Sequence, residues 1–267
     1  MKRALLFFFL LMPITFPADL KTAPDVKAVE QEQKPPPHLE TEAKPTGSEK
    51  LKEVPDKTKK KIELINKKLD SIVFDLVDLE NVTPFTAVDY FHSKSFGFDP
   101  VKTGINIMLL NDFSKPGTVT PVITIREKNI SVGSLLKKLC DQASLNMKIE
   151  PYSVVIGRNI PVYDMAMSPL SKGKCSKIII DEINLRGAKI KDIVVHLTER
   201  SIEHDEDEEN KGLNVFVDEK IEVPGVSLTL DDIPIGEVIR YICILLDLKY
   251  EVKENTVILY KDKKTQP

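Results

Sequence analysis

Tryptophan is absent from the chain, and aromatic residues make up only 6% of it. A surface on which successive bases stack is therefore not expected. Positive charge is not in excess either: 38 Lys and Arg stand against 41 Asp and Glu, for a net charge of −3, so nothing in the bulk composition points to nucleic acid. Cysteine is scarce, at three residues, an odd count without metal-ligand spacing. There is no G-x-S-x-G, no P-loop and no dinucleotide fingerprint. The four histidines are scattered: His38, His92, His196 and His204. None of the many carboxylates is singled out by its surroundings. The sequence therefore nominates no catalytic, cofactor-binding or metal-binding residue, and the expectation is a protein that is not an enzyme and carries no cofactor.

Long apolar runs are also missing. The longest, Ala4–Met12, follows Lys2 and Arg3 and is interrupted by Pro13. It falls far short of the roughly 20 residues that span a bilayer but fits the apolar region of a secretory signal. Residues 1–18 are read as that signal, with Ala18 before the cut; the alternative is an uncleaved anchor, because Phe16 is large for the peptidase. The expected location is periplasmic or otherwise exported. Residues 19–55 contain Pro35–Pro37, mixed charge and no aromatic residue. Such a stretch cannot bury enough apolar surface to offset its ordering entropy and reads as a flexible tether of roughly 35 Å. In residues 56–70, Ile62, Ile65 and Leu69 recur at helical spacing among lysines, predicting an amphipathic helix packed on the domain that follows. Membrane contact is expected to be peripheral at most.

The informative part is a repeat. Ser71–Ser95 aligns without a gap on Lys177–Ser201, placing Ile72 on Ile178, Asp75 on Asp181, Leu79 on Leu185 and Ser95 on Ser201. "GINIMLL" at Gly104 answers "GLNVFVD" at Gly212, and Ile130–Ile156 answers Ile233–Leu259. Each copy alternates β-branched strands with amphipathic helices in the order β-α-β-β-α-β-β. Thr83 and Pro84 form a helix start in the first copy. The fold class expected is α+β: two tandem domains, residues 71–157 and 177–260, each with two helices packed between small mixed sheets. Residues 158–176 read as a linker and 261–267 as a tail. Within the linker "IPVYDM" offers a strand for either domain's edge, and Met165 and Met167 offer an adaptable contact. Cys140 and Cys243 sit at one position of the two copies and should each pack inside their own domain. Cys175, between the copies, is the candidate for an intermolecular disulfide. "EHDEDEEN", residues 203–210, alternates acids as a calcium loop does, but its glycine is displaced to Gly212 and Phe216 stands where the bidentate acid belongs. A solvated insertion loop explains it better.

The element order, the "GINI" strand, "ITIREKNISVGSLLKKLCDQASLNMKIE" and the closing "YSVVI", with "VSLTLDDIPIGEVIRYICILLDLKYEVKENTVIL" in the second copy, resemble the short N-terminal domain of secretins and TonB-dependent receptors, the secretin N-zero-like domain. The resemblance covers both copies and not the tether. It implies a periplasmic docking module, and after Tyr260 no pore or barrel is expected. Function by this reading is non-enzymatic protein–protein docking with a secretin-type secretion or pilus apparatus or another envelope complex, through exposed strand edges. The partners implied are envelope proteins, such as a secretin or an inner-membrane platform component, with no nucleic acid. The competing reading is a periplasmic sensor holding a small ligand in a cleft between the copies.

Overall fold

In the computed structural model the described residues are 56–110, 119–165 and 167–262. The expected signal and tether lie outside them. The architecture is α+β, with six α-helices and four small sheets among the described residues. No helix among the described residues is long and apolar enough to cross a membrane.

Helix α1 (Asp56–Ser71) buries Ile65 and Leu69. Strand β1 (Val73–Val82) follows, then α2 (Pro84–Phe98), β2 (Ile107–Leu109), β3 (Ile123–Ser131), α3 (Val132–Ala143), β4 (Asn146–Ile149) and β5 (Val154–Gly157). β1 and β3 form a two-stranded antiparallel sheet; β2, β5 and β4 form a three-stranded one, in which β2 runs parallel and β4 antiparallel to β5. Local chemistry explains the boundaries. The Thr83 hydroxyl accepts the Thr86 N–H and Pro84 occupies the first helical turn, so α2 starts where two orphan donors need no further partner. Ser131 caps α3 in the same way, and Ser144 ends it in the left-handed region.

The second half runs through α4 (Gly173–Lys177), β6 (Ile179–Ala188), α5 (Ile190–His204), β7 (Asn214–Val217), β8 (Val226–Pro234), α6 (Ile235–Leu246), β9 (Lys249–Lys253) and β10 (Thr256–Tyr260). Its pairings reproduce those of the first half: β6 with β8, and β7-β10-β9. The correspondence reaches single residues. β1 and β6 have identical burial patterns along ten residues. Both sheets carry a bulge at one place, between Leu79 and Val82 and between Leu185 and Ala188. Asn81 and Gly187 supply the positive φ that each bulge needs.

Two features differ from expectation. Ile160–Met165 forms no strand on either edge. The stretch read as linker also contains α4, which occupies the place of the last turn of α1. Leu69 packs its backbone on Gly133, and Cys175 packs on Gly236 in the same way. Cys175 is buried, and burial pushes its thiol up to about 11, so it is a core side chain and not a thiolate available for an intermolecular disulfide. Cys140 and Cys243 lie in separate apolar clusters, one per half.

Candidate docking face

The first half receives the second on one well-defined surface. On β2 and β5, Ile107, Val154 and Ile156 turn into the first core, while Met108 and Val155 on the alternate face, with Leu110 just beyond β2, join the apolar cluster of the second half. Alternation along a strand makes both possible at once. Beside them β8 passes along the edge of β2. The Asn106 side chain accepts the Asp231 N–H at 2.9 Å and donates to the Asp231 carbonyl at 2.8 Å, so one amide substitutes for a strand partner. α2 closes the other side: Asp89 pairs with Arg186 at 2.8 Å and His92 Nε2 lies 2.9 Å from Asp231. The groove between α2 and β2 is thereby filled by Ser227–Thr229, leaving about 30 Å³.

Further along, α6 covers the end of β5. Arg240, buried, bonds Glu237 at 2.8 Å and also Glu150 of the first half, and it lies over the Tyr163 ring at 4.2 Å. Tyr241 bonds Ser153. Burial alone would raise the Glu150 carboxyl, but Arg240 and Lys148 outweigh it and hold it below its ordinary range. For Glu237 burial prevails over Arg240, and its pKa is raised. One Glu237 oxygen has no partner among the described residues. Glu237 lines a recess of about 220 Å³ that opens between the halves beside Lys57, Lys61 and Lys172.

Among the described residues the same surface on the second half is open. Lys191, Val194, Val195 and Thr198 on α5 take the places of Phe85, Val88, Asp89 and His92, and Val215, Phe216 and Val217 take those of Ile107, Met108 and Leu109. Here the groove encloses about 530 Å³. Met108 is 1% exposed and Phe216 is 55% exposed, with Val195 at 57%. β7 is an edge strand, and its Val215 N–H is satisfied by Thr198 Oγ1 at 3.0 Å.

The structure distributes the sequence candidates elsewhere. Of the acidic loop, Asp205 and Asp207 both reach Lys174, at 2.6 and 3.3 Å, and Asp205 also accepts the Gly212 N–H. Lys68 and Asp99 make the equivalent closure in the first half, so Asp205 has a structural counterpart there, while Val101 stands at the position of Asp207. His92 is at the junction, His204 lies 3.3 Å from Asp181, and His196 is half-buried on α5. Met165 lines the Glu237 recess and Met167 is exposed. Sequence reasoning missed Arg240, Glu237 and Asn106. The available signal was a comparison of helices: α6 carries Arg240 and Tyr241 where α3 carries the exposed Lys137 and Lys138, as expected for a helix covered on both faces.

No protein-family model, no curated protein and no solved structure matches this chain.

Proposed function

We propose that the chain is an exported, non-enzymatic docking protein made of two tandem domains, residues 71–157 and 177–260, each of the kind that stands at the N-terminus of secretins and TonB-dependent receptors. Its partners by this reading are periplasmic envelope proteins, among them components of a secretin-type secretion or pilus apparatus. The observation that carries the docking reading is the α5–β7 groove. An apolar trough of about 530 Å³ beside an edge strand, with Phe216 half exposed in it, is a surface for an added strand or sheet. Its counterpart in the first half already performs that task within the molecule.

The test is a photo-activated crosslinking residue placed at Phe216 in cells, with a second at the exposed Val162 as control. A discrete protein adduct from Phe216 and not from Val162 supports docking through the groove. No adduct from Phe216, in cells where fractionation shows the chain to be exported, sinks this reading.

A second reading, a sensor of a small ligand, is favoured by one feature only: the unpartnered buried oxygen of Glu237 beside the lysine-rimmed recess. A screen of small carboxylates and amines by thermal shift, with Glu237→Gln as control, decides it. A shift that the variant abolishes supports the sensor, and no shift with any compound removes it.

A further inference from the structure

We infer that the occupant of the open α5–β7 groove is the β1–β3 sheet of a second copy of this chain, so that copies associate head to tail. The inference rests on the docking reading and names its partner. Within one molecule the α2–β2 groove holds the β6–β8 sheet. The first half owns a sheet of the same construction, β1–β3, with the same register and bulge. Among the described residues its outer side is open: Leu76 is 57% exposed, and Arg126, paired with Asp78 and Glu80 in the same sheet, is accessible. The chain thus ends in a free groove on one half and a free sheet on the other, and each is the counterpart of a surface that is already mated at the junction. Repeating units that leave complementary terminal faces continue the same contact between molecules.

Residue chemistry at matched positions fits this occupant. Asp89 and Phe85 of the filled groove face Arg186. In the open groove Val195 takes the Asp89 position, so that ion pair has no direct equivalent. Lys191, at the Phe85 position, is the cation beside which Glu80, at the Arg186 position in β1, would lie, and within its own sheet Glu80 pairs with Arg126. The strand filling the first groove presents Thr229 and Asp231; β3 presents Arg126 and Lys128 instead. Correspondingly the open groove is bordered by Glu199 and Glu219, which are suited to cations. Asn214 occupies the position from which Asn106 grips the Asp231 backbone. One pair is unfavourable: Lys137, in the place of Arg240, meets Lys253, in the place of Glu150. The contact between copies is therefore weaker and more salt-sensitive than the one inside the molecule.

Sedimentation velocity of the chain over a wide concentration range tests this. The expected result is a weight-average coefficient that climbs past that of a dimer, because a heterologous contact does not close on itself after two copies. Phe216→Asp disables the groove and Arg126→Glu disables the sheet; both side chains are exposed, so each variant folds, and each should raise the dissociation constant at least about tenfold. A mixture of the two variants should form a dimer and nothing larger, since each contributes one intact face. Lys137→Glu should tighten association. A chain that stays monomeric throughout, or association that Phe216→Asp leaves unchanged, overturns the inference. If the chain is monomeric but Phe216 crosslinks to a different protein, the docking reading stands and this inference falls. If neither association nor an adduct occurs, both fall.

Discussion

Arg240 shows how far a single residue commits the molecule. It lies between two carboxylates, one from each half, and is 3% exposed. Its loss leaves Glu237 without its cation and Glu150 with Lys148 alone, and breaking a buried pair in this way costs about 3–5 kcal/mol. Arg240→Ala should lower stability by that amount in urea denaturation, with Lys137→Ala at the equivalent exposed position of α3 close to neutral. His92 adds a pH dependence. Burial pulls its imidazolium down, but the bonds to Asp231 and to the Ile105 carbonyl, with the charges of Asp231 and Asp89, more than compensate, and the net shift is upward from 6.5. Arg186 pairs with Asp89 at the border of this group of charges. A raised folded-state pKa gives stability that is fully present below the unfolded value, about 6.5, and is lost as pH rises through the folded value. Wild-type stability should therefore fall across that window, and His92→Gln should flatten this part of the profile, read by denaturation at a series of pH values. Neither role was legible in the sequence. An arginine in an apolar helix and a histidine in an aromatic one acquire meaning only when a surface 90 or more residues away is laid over them.

At the scale of elements the sequence was far more open. The alternation that makes β1 and β6, the cap at Thr83 and the apolar stripes of α3 and α6 follow from residue spacing, because each element is shaped by its own neighbours along the chain. α4 was hidden for the complementary reason. Five residues, Gly173–Lys177, are too short to show a helical period, and the helix exists because Cys175 has a place to pack against α6. Gly236 is the other half of that contact. A Cβ there would lie 2.0 Å from the Leu170 carbonyl oxygen and 2.9 Å from that of Cys175, whereas at Gly133 the nearest backbone atom, the Leu69 carbonyl oxygen, is 3.0 Å away. Backbone cannot swing aside as a side chain does. Gly236→Ala should thus destabilise by at least about 1–3 kcal/mol, the usual range for overpacking, and by more than Gly133→Ala. Equal midpoints for the two variants in thermal or urea denaturation would mean that the backbone at Leu170 and in α4 yields freely and that its docking on α6 is weak.

Across the whole molecule, the two halves share topology and register but differ in what their outer surfaces meet, and that difference is written at equivalent strand positions. Met108 and Phe216 follow equivalent glycine turns, at Gly104 and Gly212, and point to the equivalent side of their own three-stranded sheets. The sequence, with an apolar residue at both sites, gave no means of telling which is covered; only the path of the chain after β5 decides it. Met108 is inside the apolar cluster of the second half and Phe216 is not. Placing a carboxylate at each should therefore give opposite outcomes. Met108→Asp buries an unpaired charge at the junction, where desolvation without compensation is expensive, so it should cost more than about 3 kcal/mol. It should also separate the halves: calorimetry should show two transitions in place of one, and protease should cut between Ile160 and Met165, where no strand protects the backbone. Phe216→Asp should leave the melting profile where it was, since a half-exposed side chain is exchanged for a hydrated one. If Met108→Asp instead melts in a single transition at the wild-type temperature, the halves are held by the polar contacts of Asn106 and Arg240 alone, and the apolar faces of β2 and β5 contribute little to their union.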